Sequence, residues 1–435
     1  MNGKPNYNDR IGKPSSYFNF KKGFVLCVFM VLLIVSVEGC TEQTGQITTT
    51  ATNSPTATES SDEQYRYVTD MRGVQVKVPE DIKSVATIDD GFVEGVLTNL
   101  SEIDKVVAIG SWSLKRDYSY TYPTINGTNY SYVYGWNTMK YLHPWLNETP
   151  CINSPQGNII SYETLADVNP DAVIMRVGDC TIGASDEEKI TKTISTIESL
   201  GIPIVVLYSP TYYQNSDLST MRDEMRVIGQ LFGKEQKAMA LADYLESTEK
   251  MIRERTRDIP DNKKSNVLYI GLSPNARSSG GAGTVAGTDT PESYIIESIC
   301  NGRNVYRDTG AGKLLNAEQV MALDPDVILL PTSNGFHPPR ELYEAPYYQN
   351  LQNMRAVLNK RVYAMPWTPM NCARRTEYPI DMMIIAKACY PDLFSDIKIH
   401  EFVLDFYQDV YGVNRTTAQE LRSNQWLDWM VESDF

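Results

Sequence analysis

The amino-acid sequence predicts an α/β protein: two Rossmann-like lobes joined by a long backbone helix. Three observations carry that expectation. Short apolar runs of four or five residues alternate with helical patterns, the grammar of a mostly parallel sheet covered on both faces. A stretch with helical spacing of its apolar residues, Leu218 to Arg257, separates two similar halves. One 14-residue segment of the first half returns almost literally in the second. A length of 435 residues, 42% hydrophobic and 22% charged, suits two ordinary globular cores and argues against wholesale disorder or a polytopic membrane protein.

The amino end reads as an address. Lys21-Lys22 precede an uninterrupted apolar run, Phe24 to Val37. As a helix it would reach about 21 Å, short of the roughly 30 Å hydrocarbon core, so an export signal fits better than a stable span. Cys40, with Gly39 before it, resembles the lipobox of prokaryotic lipoproteins, whose cysteine becomes the lipidated first residue. An uncleaved signal anchor is the alternative. Either way, residues 1–40 place the chain outside the cell and tether it to the membrane. Residues 41–64 are rich in Thr and Ser, with Ile47 as their only large apolar side chain. They cannot bury enough surface to offset chain entropy and are expected to form a disordered tether.

The N-terminal lobe, residues 65–217, opens with a hairpin from Tyr65 to Pro79 that turns around Met71-Arg72-Gly73. Strands are expected at Ser84–Ile88, Lys105–Ile109, Ala172–Met175 and Ile204–Leu207. A helix from Glu187 to Leu200 ends at Gly201-Ile202-Pro203. The linking segment, residues 218–260, is helical, and Gly233 marks a kink or a break within it. In the C-terminal lobe, residues 261–435, strands are expected at Asn266–Ile270, Val327–Leu330 and Arg361–Ala364, with helices at Pro291–Cys300 and Pro379–Cys389. The recurring segment runs Ser161 to Ile174 and again Asn316 to Leu329. In both copies a glutamate, Glu163 or Glu318, precedes a Pro-Asp pair by the same step. Gly281 to Ala286 matches G-x-G-x-x-A but lies too far past its strand for a dinucleotide site, and is expected to be a flexible loop.

Charge and cysteine counts narrow the function. Lys plus Arg total 40 against 54 Asp plus Glu, a formal charge of −14 that argues against a nucleic-acid binder. Three histidines leave little for a metal site, and no metal or other cofactor is expected. The 27 tyrosines against 11 phenylalanines suggest surfaces that are partly wet and partly apolar. With Cys27 in the signal and Cys40 at the anchor, five cysteines remain, and Cys151 with Cys180 is the best disulfide pair because they flank one helix–strand unit.

From Tyr65 to about Phe394 the chain resembles the substrate-binding proteins of ABC importers for iron–siderophores, haem and cobalamin, the helical-backbone class of periplasmic-binding-protein-like folds. The marks are the hairpin ending Val78-Pro79, both Glu-to-Pro-Asp segments, and the run Gly201 to Val206. The run Ala356 to Pro366 and Tyr390-Pro391-Asp392-Leu393-Phe394 complete them. The resemblance implies no catalysis. It implies a monomer holding an iron chelate, or alternatively a corrinoid or haem, between its lobes and delivering it to a permease and its ATPase. It also implies that Glu163 and Glu318 face the permease and pair with its arginines. A cell-surface sensor or adhesion protein on the same fold is the reading outside transport.

The ligand is expected at the carboxyl ends of the strands, facing the cleft. The candidates on the first lobe are Asp89, Trp112, Arg116 and Arg176; on the second they are Asn275, Arg277, Trp367 and Arg374. Aromatic walls with fixed guanidinium groups suit a bulky, planar or anionic chelate. His143 or a cleft tyrosine as a haem ligand stays open. The departure from the family is the Tyr-rich insert 117–150, expected to be a lid or specificity wall, or else a surface subdomain, with sequons at Asn126, Asn129 and Asn147.

Overall fold

The computed structural model describes residues 64–435 apart from 136, 154–159, 180, 214–216, 332–337 and 367–374. Cys40, Cys180, Trp367 and Arg374 therefore lie outside the described residues, as do the expected signal and nearly all of the tether. No helix among the described residues is long and apolar enough to cross a membrane.

In chain order the strands are β1 (Tyr65–Thr69), β2 (Gln75–Pro79), β3 (Val85–Ile88), β4 (Val106–Ala108), β5 (Tyr118–Pro123), β6 (Asn129–Gly135) and β7 (Ala172–Val177). There follow β8 (Ile204–Tyr208), β9 (Asn266–Gly271), β10 (Gly283–Ala286), β11 (Arg303–Asn304), β12 (Ala311–Leu315), β13 (Val327–Leu330) and β14 (Val362–Ala364). The first lobe is a parallel sheet in the order β4-β3-β7-β8. The second runs β12-β10-β9-β13-β14, parallel from β9 to β14 and antiparallel at β10 and β12, with β11 beside the start of β9. Every residue of β3, β7 and β13 is buried, as expected of strands covered on both faces.

The segment Gly281 to Ala286 is not a flexible loop. Its last four residues are β10, and a Cβ on Gly283 would stand 2.7 Å from the Gly271 carbonyl oxygen, so glycine is what lets β10 approach β9.

The recurring segment builds the same unit twice. Helix Tyr162–Val168 is capped by Ser161 and helix Ala317–Leu323 by Asn316, and both end on a left-handed residue, Asn169 or Asp324. The aspartate after each proline then stitches two strands together. Asp171 Oδ2 accepts from the backbone N–H of Lys83 (2.7 Å) and Ser84 (3.0 Å), while Asp326 Oδ2 accepts from the backbone N–H of Asn266 (3.0 Å). Pro-Asp is thus more than a turn: it ties the start of β7 to that of β3, and β13 to β9.

The linking segment is two helices, Thr220–Leu231 and Glu235–Thr256. Gly233, at φ +65°, supplies the left-handed turn between them, and Gly229 lets them close up, since a Cβ there would stand 2.6 Å from Ala238 Cβ. The shorter helix belongs to the first lobe. The longer one, 22 residues, is the strut, about 33 Å long. Arg255 anchors it to the second lobe through both oxygens of Asp396, at 2.5 and 2.8 Å. One apolar cluster runs from Val85 and Leu97 through Leu245 and Ile252 of the strut to Ile384 and Leu404, so the lobes share a core along the strut. Three helices beyond the family resemblance, Ile399–Tyr411, Arg415–Asn424 and Trp429–Glu432, close the chain.

Candidate functional site at the lobe junction

The end of β3 leads into Asp89-Asp90-Gly91 and then helix Phe92–Leu100. Asp89 Oδ2 accepts from the N–H groups of Gly91 (2.9 Å) and Val93 (2.8 Å) and so fixes the start of that helix. Arg176 is wholly buried. Its Nε and Nη2 donate to Glu224 Oε1 (2.6 Å) and Oε2 (2.9 Å), its Nη1 lies 3.8 Å from Asp89 Oδ1, and its guanidinium covers the Phe92 ring at 4.1 Å. Asp89 and Arg176, both expected at the ligand, are instead held inside the first lobe. A residue of β7 has a helix over it on either face, and the one over Arg176 brings the matching carboxylate.

Glu94 completes this interior. Thr87 Oγ1 donates to its Oε1, and the Asp89 carboxylate lies close enough to raise its affinity for a proton. Burial, and then the Asp89 charge, push the Glu94 carboxyl up to about 8. A folded-state value above the unfolded one stabilises fully below about pH 4.5, and that gain is lost as pH rises through about 8. Glu94→Gln removes the titration. Its urea midpoint is therefore expected to match the parent at pH 5 and to exceed it at pH 9, by about 2–4 kcal/mol in stability. Parallel profiles would refute the raised Glu94 carboxyl.

The lobes meet at Asp90 and Arg375. Ser111 Oγ (2.6 Å) and Ser113 Oγ both donate to Asp90 Oδ1, and Asp90 Oδ2 lies 3.5 Å from Arg375 Nη2 of the second lobe. Burial pushes the Asp90 carboxyl up against the opposing pull of Arg375. Tyr118 sits beside Asp90 and Arg375 and hydrogen-bonds Arg116, an exposed residue. Of the expected ligand residues that are described, Arg116 is the one brought to this junction. Asn137, fully buried, joins it from the insert: its Oδ1 caps helix Thr138–Leu142 by accepting from Met139 N–H at 2.9 Å. Asn137 was missed because only an N-cap signal marks it in the sequence.

The other candidates lie elsewhere. Trp112 is half-buried, with Nε1 donating to the Asn153 carbonyl at 2.7 Å. Asn275 is exposed on the first turn of helix Pro274–Ser278. Arg277 is turned into the second lobe, where it donates to the Leu272 carbonyl (2.6 Å) and Tyr348 hydroxyl (3.0 Å), and lies 3.5 Å from buried Glu341. Glu163 and Glu318 are exposed in the first turns of their helices, with no ion pair among the described residues. His143 is half-buried 2.8 Å from Thr98 Oγ1, and burial pushes it down to about 4, so it stays neutral. Among the described residues no cluster of His, Cys, Asp and Glu is placed to hold a metal ion.

Cys151 is a free thiol. Its backbone bridges Ile109, just past β4. The expected pairing with Cys180 falls on a residue outside the described ones.

The insert neither stands alone nor swings free. The hairpin β5–β6 leaves the first lobe and packs into the core of the second, with Tyr120 and Tyr122 beside Leu268, Ile270 and Leu342. Tyr120 donates to Glu341 Oε1 at 2.5 Å, the Ile125 N–H to the Glu344 carbonyl at 2.8 Å, and Trp426 Nε1 to the Val133 carbonyl at 3.0 Å. Arg340 covers the Tyr130 ring at 4.0 Å. Tyr120 and Tyr122 bury their rings in the second lobe, with the Tyr120 hydroxyl satisfied by Glu341 and that of Tyr122 left without a hydrogen-bond partner.

Two α/β lobes, a helical strut and a polar junction at the strand ends define a solute-binding architecture. The model of the periplasmic binding protein family matches residues 90–368, more than half of the chain, and the protein belongs to that family. The molybdate-binding protein MolA of Haemophilus influenzae is 25% identical over 275 residues, 58% of this chain and 70% of MolA. Among solved structures, a periplasmic solute-binding protein from Veillonella parvula superposes with a TM-score of 0.65 at 22% identity, covering 86% of this chain and 100% of its own. The TroA-like periplasmic binding protein FepB of Veillonella parvula superposes with a TM-score of 0.60 at 15% identity, covering 79% of this chain and 95% of its own. These structural likenesses show the fold.

Proposed function

We propose that this protein is the membrane-tethered binding component of an ABC importer and captures an iron chelate at the junction of its lobes for delivery to the permease and its ATPase. The observation that carries the reading is the meeting of Arg375 with Asp90, with Arg116 and Tyr118 alongside, at the strand ends of the first lobe. Guanidinium groups beside an aromatic ring bind the anionic oxygens and flat faces of such chelates. A small oxyanion is the second reading, favoured by the likeness to a molybdate-binding protein. Glu163 and Glu318 are the docking posts: two exposed carboxylates on rigid lobes at a fixed separation match two basic patches on a partner.

Thermal shift with ferric citrate, a ferric catecholate, haem, a corrinoid and molybdate separates the readings. The bound ligand at 100 times its dissociation constant adds about 2.7 kcal/mol. A shift with molybdate alone overturns the iron reading, and no shift with any of them overturns both. Glu163→Lys with Glu318→Lys is expected to leave affinity intact and abolish uptake in cells; normal uptake refutes the docking role.

A further inference from the structure

A cavity of about 560 Å³ opens on one face of the strut, and none of the residues placed at the Asp90–Arg375 junction lines it. The strut contributes Glu246, Glu249 and Arg253, three residues at helical spacing. The first lobe supplies Leu218, just ahead of helix Thr220–Leu231; the second supplies Tyr294 and Tyr378, the latter opening helix Tyr378–Cys389. A cavity of that size holds a small organic molecule. Two acceptors in it are open. Tyr378 is 4% exposed, yet its hydroxyl makes no hydrogen bond, where a buried tyrosine hydroxyl ordinarily finds a partner. Glu249 gives Oε1 to Arg253 Nε at 2.7 Å and leaves Oε2 without a donor among the described residues. The arginines nearby are engaged: Arg253 also donates to the Tyr294 hydroxyl at 2.9 Å, and Arg222 holds both oxygens of Glu246 at 2.7 Å. Burial, then the Glu249 and Glu246 charges, push the Tyr378 hydroxyl well up against the pull of Arg222, so it stays neutral in a negative field. Lys250 and Arg257 also line the cavity but are exposed, where water and salt screen them.

We propose that this cavity is a second binding site, for a small organic ammonium whose N–H groups donate to the Tyr378 hydroxyl and Glu249 Oε2. An ammonium carries three donors and no acceptor, which matches two open acceptors in a negative field. The apolar body of the ligand packs on Leu218 and on the Tyr294 and Tyr378 rings, whose faces favour a cation. An anion of the same shape is repelled by Glu246 and Glu249. The inference goes beyond the cleft reading and does not depend on it. Because the lining comes from both lobes and the strut, a ligand held there touches all three at once.

The full chain is titrated calorimetrically with phenethylamine, cyclohexylamine and spermidine, and with phenylacetate as the anionic counterpart, for the parent, Tyr378→Phe and Glu249→Gln. Tyr378→Phe keeps the ring and removes only a hydroxyl that has no partner, so its melting temperature without ligand is expected to match the parent. Its affinity for the amine that binds is expected to fall about 10-fold. Glu249→Gln keeps an oxygen for Arg253 but puts a donor in place of the open acceptor and removes the charge; a loss of at least about 10-fold is expected. Phenylacetate is expected not to bind. Equal amine affinity in folded Tyr378→Phe overturns the site, whether or not Glu249→Gln folds. Binding of phenylacetate as tight as that of phenethylamine, or no binding of any of the three amines to the parent, overturns it as well. None of these results bears on the cleft, which the chelate and molybdate measurements decide separately.

Discussion

Glu224→Ala is expected to destabilise the protein by about 3–5 kcal/mol, because it removes the bidentate carboxylate from a wholly buried Arg176 and leaves it only the more distant Asp89, at 3.8 Å, among the partners described above. The pair is fully buried and bidentate, with Arg176 stacked on Phe92, so relaxation cannot rescue it cheaply. The urea midpoint followed by circular dichroism measures the loss. Arg176→Met combined with Glu224→Leu should recover most of it, since an apolar pair of similar volume removes both desolvation penalties. A single-variant loss under about 1 kcal/mol would mean that water reaches Arg176. The double variant also separates stability from binding: if Arg176 only supports the first lobe, ligand affinity survives in it.

The second large effect concerns the clasp. Trp426 is 6% exposed, lies 5.5 Å from the Tyr132 ring and packs against Gly135, where a Cβ would come within 2.6 Å of Trp426 Cζ2. Trp426→Ala is expected to cost about 3–5 kcal/mol. It should also free β5–β6 from the second lobe, so that amides of residues 118–135 exchange faster with solvent deuterium while those of β7 and β13 do not. Unchanged exchange in the hairpin would show that the Tyr120–Glu341 bond holds it unaided. The clasp bears on the lobe junction because Asn137 lies two residues past β6. Whatever seats the hairpin on the second lobe also sets where that amide points.

The parallel strands were legible in the sequence because a buried strand is a local signal: β3, β7, β8, β9, β13 and β14 each read as a short apolar run. The hairpin β5–β6 was not, because its tyrosines alternate with polar residues and bury only against the other lobe. β10 was hidden by its glycine, which reads as a loop locally and as a close strand contact in the sheet. The candidate site was legible only in part. Arg116 is at the junction, whereas Arg176 and Arg277 resemble it in composition and differ only in where their carboxylate partners lie.

By itself the sequence determined the two sheets, the strut, the doubled Pro-Asp unit and the family, because periodicity, caps and turn residues act over one or two turns of chain. Only the tertiary structure decided which cations are spent internally and which face the cleft. The partners that settle this are distant along the chain, 48 residues for Arg176 with Glu224 and 71 for Arg277 with Tyr348. A charge is buried or exposed according to what the fold brings opposite it, and no local pattern encodes that.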